Sequence, residues 1–117
     1  MNDKKIAVVT GAAGFIGSHM VDLLLDQGYQ VRGLDNLSSG QWENLENRKN
    51  DSELSVETIE MQSIQAEHLA FKDADYIFHF AGMGDIVPSI EQPIDYVSAN
   101  VMGTVHVLEA ARQTALK

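Results

Sequence analysis

Gly11, Gly14 and Gly17 recur at a spacing of three within Val8–His19, VVTGAAGFIGSH, directly after a run of four apolar residues and before an apolar helical pattern. Glycine inside a regular element costs roughly 0.5–1 kcal/mol relative to alanine, so three within seven residues call for a reason. The chemistry that supplies one is the binding of a dinucleotide pyrophosphate. Gly11 would turn the chain tightly at a strand end, and Gly14 would let a phosphate come up against the main chain. Gly17 would let the helix pack on the strand, while the free N–H groups and positive dipole end of that helix face the phosphates. Asp35 stands 18 residues past Gly17, at the end of a second apolar run. A carboxylate there accepts hydrogen bonds from the adenosine ribose and repels a 2′-phosphate, which favours NAD over NADP. Arg32 lies inside the strand, and the next arginine is Arg48.

Other residues with chemical potential carry less. His19, His68, His79 and His106 fall on four separate elements with no ligand-like spacing, so no metal site is expected. His79, at a strand end, reads as a packed, hydrogen-bonded residue. Trp42 in a polar loop reads as a cover for the core edge, with stacking on adenine as the rarer use. The acidic residues between Glu43 and Glu67 read as a solvated face.

The elements that must position these residues alternate. Strands are expected at Ile6–Val9, Gln30–Leu34, Leu54–Thr58 and Asp75–Phe80. A helix follows the glycines, with Ile16, Met20, Leu23, Leu24 and Gln27 along one face and Gly28 as its stop. Leu37–Asp51 is a polar loop with a helical turn near Glu43–Asn47, and Ser63 is placed to cap a short helix through Phe71. Gly82–Gln92 is a loop with a helical turn after Pro88. Pro93 opens a long helix on which Ile94, Val97, Val101, Val105, Leu108 and Ala111 repeat. Alternation of this kind implies an α/β fold, a doubly wound parallel sheet of about four strands in the order 3-2-1-4 with helices on both faces. Ligands of such sheets bind beyond the carboxyl ends of the strands, which is where the glycines and Asp35 fall.

Composition sets the outer limits. The 117 residues suit one compact domain, and a net charge of −9 with a pI near 4.6 argues against nucleic acid or an anionic membrane as partner. There are no cysteines, so disulfides and thiolate-ligated metals are excluded. The polar start Met1–Lys5 and the short run Ile6–Val9 fit neither a signal peptide nor a membrane span, which makes a cytoplasmic protein the expectation.

With these residues in view, the chain resembles the extended short-chain dehydrogenase/reductases, in particular their NAD-dependent sugar-nucleotide epimerase/dehydratase group and its 4-epimerase type. Four segments carry the likeness, in order: TGAAGFIGSH (Thr10–His19), DNLSSGQWENL (Asp35–Leu45), DADYIFHFAG (Asp73–Gly82) and PSIEQPIDYVSANVMGTVHVLEAAR (Pro88–Arg112). The resemblance implies a partial Rossmann fold with NAD as cofactor and a nucleotide sugar as the parent enzyme's substrate. It implies that Phe15 and Ile16 line the pyrophosphate together with Gly11, Gly14 and Gly17. Asp35 and Asn36 would hold the adenosine ribose, with Ser38 and Gly40 close by. Phe80, Ala81 and Gly82 would pass under the nicotinamide-side ribose, Asn100 would support the central strands and the pocket, and Ser89 would reach toward the nicotinamide or the substrate. Ile59-Glu60-Met61 stands where the family often carries Gly-Asp-Ile/Leu, which makes Glu60 and Met61 the candidates for adenine. Gly84 replaces a lysine of the 4-epimerases, and neither Gln41 nor Trp42 supplies the basic residue many members place there.

Family chemistry also needs a tyrosine with a lysine four residues later, the lysine lowering the tyrosine pKa so that the phenolate takes a sugar proton as hydride moves. Tyr29, Tyr76 and Tyr96 are followed at that distance by Gly33, Phe80 and Asn100. The expectation is therefore residues 1–117 as an incomplete N-terminal NAD-binding domain, inactive alone, with strand five and the substrate domain outside it. The open edge of strand four and the apolar face of the last helix would favour self-association. A dinucleotide sensor without chemistry stays open as an alternative. A scaffold that has lost its ligand has no use for the three glycines and Asp35.

Overall fold

A computed structural model describes residues 4–82 and 86–114. Gly84, where the sequence departs from the 4-epimerases, lies outside the described residues. Four parallel strands form one sheet in the order β3-β2-β1-β4: β1 Ile6–Thr10, β2 Gln30–Asp35, β3 Leu54–Thr58 and β4 Tyr76–His79. Thr10 pairs with Leu34 on one side and His79 on the other, while Asp35 pairs with Thr58. The carboxyl ends of all four strands therefore open on one rim, as the order of elements predicts.

The sheet is buried on both faces because alternate residues of its central strands serve different cores. Val8 and Leu34 join Ile64, Phe71 and Val107 on one face. Ala7, Val9 and Val31 join Ala12, Val21 and Leu24 on the other. This is why β1 reads as a continuous apolar run rather than an alternating one.

Helix α1, Phe15–Asp26, covers the second face, but not with the side the apolar series suggests. Its buried residues are Gly17, Ser18, Val21 and Leu24, whereas Ile16 and Leu23 are exposed. Gly17 sets this rotation by seating its backbone against Gly11 and Ala12. Between β2 and β3, two 3₁₀ turns joined by a kink at Leu45 (φ −111°, ψ 17°) span Trp42–Arg48 and take in the expected turn near Glu43–Asn47. Trp42 packs partly buried at the core edge and donates its Nε1–H to Thr58 Oγ1 at 3.2 Å.

The helix expected from Ser63 to Phe71 does not form. Ser63 instead ends a single turn, Met61–Ser63, and Ile64 is extended at φ −70°, ψ 139°. A second turn, Leu69–Phe71, is capped by His68, whose side chain accepts from the Ala70 amide at 3.0 Å. Met61, Ile64 and Phe71 are all buried in the core. Arg32 fastens this connection to β2 by donating from Nη1 to the carbonyls of Ala70 (2.8 Å) and Lys72 (2.6 Å). Burial holds its guanidinium below the ordinary arginine range.

After β4 come α2, Ile86–Glu91, and α3, Pro93–Val97, with Pro93 in the first turn as expected. The long helix then widens into a π-type turn at Ser98–Met102 and resumes as α4, Gly103–Gln113. Its buried residues are Gly103, Val107 and Ala110. The apolar series is the other side of the helix: Ile94 is 83 % exposed, and Val97, Val101, Val105 and Leu108 are also exposed. Among the described residues β4 pairs only with β1.

Candidate cofactor-binding site

A cavity of about 290 Å³ opens at the carboxyl ends of the strands. Gly11 and Gly14 line it from the β1–α1 loop, and Asp35, Asn36, Ser38 and Ser39 from the end of β2. Ile59, Glu60, Met61 and Gln62 close it beyond β3, and Phe80, Ala81 and Gly82 beyond β4. Four strand ends thus bring to one place residues from Gly11 to Gly82, 71 positions apart in the sequence.

The three glycines prove to be different from one another. Gly11 has φ +69°, and a β-carbon on it would meet the Phe80 and Ala81 backbone at 2.8 Å. At Gly17 a β-carbon would stand 2.0 Å from the Gly11 carbonyl oxygen. Both are fixed by the fold itself. At Gly14, whose φ of −81° and ψ of 178° suit any residue, a β-carbon would meet nothing closer than 3.4 Å. The fold does not demand glycine there, yet Gly14 lies on the cavity wall.

Gly14 is also the N-cap of α1, with no side-chain cap and no acidic residue in the first turn. The first-turn amides of a helix lack intrahelical acceptors, so an anion in the cavity meets uncompensated N–H groups and a positive helix end. Phe15 is 78 % and Ile16 62 % exposed, and neither is among the residues lining the cavity. Gly17 lies behind the loop rather than on the cavity, and so does Gly40, where a β-carbon would strike Ala13 and Gly14 backbone at 2.7–2.9 Å.

Asp35 is buried, and its two oxygens do structural service: Oδ2 accepts from the Ala13 amide at 2.9 Å and Oδ1 from the Leu37 amide at 2.8 Å. It ties the glycine loop to the β2 end, and it also holds Leu37 at φ +64°. Each carboxylate oxygen keeps a further lone pair, so these bonds leave room for a ribose hydroxyl. Asn36 accepts from the Ser38 amide at 3.0 Å and donates to Glu60 Oε2 at 3.0 Å, so the two ends of the cavity rim are joined. With Asp35, Glu60 and Asp95 around it, the rim is acidic.

Asn100 lies in the π-type turn with its Oδ1 2.8 Å from where a β-carbon on Gly82 would be. It abuts the cavity wall rather than lining it, while Ser89 sits on α2 and is not among the lining residues. Asp95, Ser98 and Ala99 line the cavity and were missed by sequence reasoning. Their spacing on one helical face was the available signal, masked by the stronger apolar series beside it. Among the described residues no three His, Asp or Glu side chains stand close enough together to hold a metal ion.

Known proteins share this fold. The family model described as GDP-mannose 4,6 dehydratase matches residues 8–117. The chain belongs to the sugar-nucleotide epimerase/dehydratase family of short-chain dehydrogenase/reductases. It is 41 % identical over 113 residues to a UDP-glucose 4-epimerase of Mycolicibacterium smegmatis, covering 94 % of this chain and 36 % of that protein. A UDP-N-acetylglucosamine 4-epimerase from Methanobrevibacter ruminantium, solved with UDP-N-acetylmuramic acid, superposes on all of this chain with a TM-score of 0.87 at 38 % identity. The chain covers 36 % of that structure. The dTDP-glucose 4,6-dehydratase DesIV double mutant from Streptomyces venezuelae, solved with NAD bound, gives a TM-score of 0.84 at 32 % identity over 94 % of this chain and 36 % of its own. The chain thus spans about a third of the length of these family members. Among the described residues no helix is long and apolar enough to cross a membrane.

Proposed function

We propose that the chain is the NAD-binding portion of a cytoplasmic sugar-nucleotide epimerase or dehydratase. The observation that carries this reading is Gly14, a glycine on the cavity wall that nothing inside the fold requires. In this reading the N–H groups of Phe15 and Ile16 and the bare backbone at Gly14 hold the pyrophosphate. Asp35 takes the ribose hydroxyls, Asn36 and Ser38 stand beside them, and Glu60 and Met61 face the adenine. Phe80, Ala81 and Gly82 floor the other end of the dinucleotide, and Ser89 faces the substrate side. When bound, NAD supplies a hydride acceptor; the chain's own residues bind it, orient it and keep a 2′-phosphate away.

Family membership supports a nucleotide sugar as the substrate of the whole enzyme, with NAD reduced and re-oxidised within a turnover. A second reading, a dinucleotide-binding module without chemistry, draws on the absence of a Tyr-x-x-x-Lys pair from these 117 residues. The β4 edge, unpaired on one side among the described residues, and the exposed Ile94–Leu108 stripe support self-association as part of the proposal; sedimentation that shows a monomer at high concentration contradicts it. Calorimetric titration tests the main reading: NAD should bind saturably and more tightly than NADP. Equal affinity for the two, or none for either, refutes it.

A further inference from the structure

We propose that His79 is a positioning residue for the Phe80–Gly82 wall of the cavity, held by a one-directional chain of hydrogen bonds from Thr10 to Asn100. The geometry leaves one way to place the protons. Thr104 Oγ1 lies 2.6 Å from the Asn100 carbonyl oxygen, which can only accept, so the Thr104 hydroxyl proton is committed there. His79 Nε2, 3.1 Å from the same Oγ1, must then donate to it. The neutral ring therefore carries its proton on Nε2, and Nδ1 accepts from the Thr10 hydroxyl at 2.6 Å. Thr10 Oγ1 in turn accepts the amides of Phe80 (3.0 Å) and Ala81 (3.1 Å).

This chain joins two clamps on the wall. On the sheet side, the buried Thr10 hydroxyl holds the first two residues of the segment, next to Gly11. On the helix side, Asn100 closes over Gly82 from the π-type turn. A π-type turn shifts carbonyls out of the ordinary helical pattern, and the Thr104 hydroxyl gives the Asn100 carbonyl a partner. His79 links the clamps across the gap between β1 and α4. The bonds themselves do not depend on NAD, but their consequence for affinity rests on the NAD reading.

The Thr104→Val and Thr104→Ser pair tests the proposal, with three readouts on the full chain: imidazole ¹⁵N shifts, amide shifts of residues 80–82, and NAD titration. The wild type should show the Nε2–H tautomer at His79. Thr104→Val, the same shape without the hydroxyl, should leave the Nε2–H without its acceptor and shift the Nε2 resonance, move the amides of Phe80, Ala81 and Gly82, and weaken NAD by about tenfold, the scale of one lost hydrogen bond. Thr104→Ser should restore all three. An Nδ1–H tautomer in the wild type overturns the proposal. So does an unmoved wall in Thr104→Val, or a serine variant that behaves like valine. The tautomer needs no variant, so the test stands even if Thr104→Val fails to fold. Absence of NAD binding by a wild type that shows the Nε2–H tautomer and a valine-sensitive wall refutes the NAD reading and upholds the positioning role.

Discussion

A β-carbon built on Gly17 would stand 2.0 Å from the carbonyl oxygen of Gly11, so the two ends of the glycine loop are in direct backbone contact. A β-carbon on Gly14, midway between them, would meet nothing closer than the Gly11 carbonyl oxygen at 3.4 Å. Similar residues in one motif therefore answer to different constraints, and substitution should separate them. Gly17→Ala should destabilise the fold by about 1–3 kcal/mol, the usual cost of forced overpacking. Gly14→Ala should cost less than about 1 kcal/mol in urea denaturation and still abolish NAD binding. A Gly14→Ala protein that binds NAD normally would remove the main support for the proposed function.

Asp35→Ala should also weaken NAD, but for two reasons at once. The variant leaves the amides of Ala13 and Leu37 without their acceptor, which should cost about 1–3 kcal/mol. Chemical denaturation run beside the titration separates the lost ribose contact from the loosened loop. An unchanged unfolding midpoint would show that the two backbone bonds add nothing.

The glycine loop, the β2 carboxylate and the strand order were legible in the sequence because each depends on neighbours within a few residues or on simple alternation. Arg32 was read correctly as lying inside the strand, but not as a cap for the carbonyls of Ala70 and Lys72, some 40 residues away. The rotation of α1 escaped because Ile16 and Leu23 look like core residues, while the contact that sets it, Gly17 on Gly11, has no side chain to read. The π-type turn left only the two successive steps of four from Val97 to Val101 to Val105. Asp95, Ser98 and Ala99 share one helical face across α3 and that turn, a signal masked by the stronger apolar series beside it.

Arg32 is a basic residue within β2, and its bonds to the Ala70 and Lys72 carbonyls oppose a role as a 2′-phosphate ligand. Arg32→Met should lower stability by about 1–2 kcal/mol through those lost bonds. It should leave the ratio of NAD to NADP affinity unchanged in paired titrations. A selective loss of NADP binding would contradict its assignment.

Acid should destabilise the protein through His79. Burial lowers its pKa below the ordinary histidine value, with no charged partner to offset it. A proton on Nδ1 would also meet a Thr10 oxygen whose lone pairs already accept two amides. The folded state thus binds fewer protons than the unfolded one. The contribution to stability is full above the unfolded pKa of about 6.5 and falls as pH drops through it toward the lower folded value. Urea midpoints taken between pH 7.5 and 5.5 should decline, and His79→Gln, starting lower, should decline less. Parallel slopes would rule out His79 as the source.

The most direct measurement is an amide chemical-shift titration of the 117-residue chain with NAD and, separately, NADP. Saturable shifts are expected at Gly11–Ser18, Asp35–Ser38 and Phe80–Gly82. They should be stronger for NAD, with a dissociation constant on the order of a millimolar, about −4 kcal/mol, and absent in Gly14→Ala. Shifts scattered away from those three strand ends, or none at several times that concentration, would contradict the assignment of this cavity to NAD.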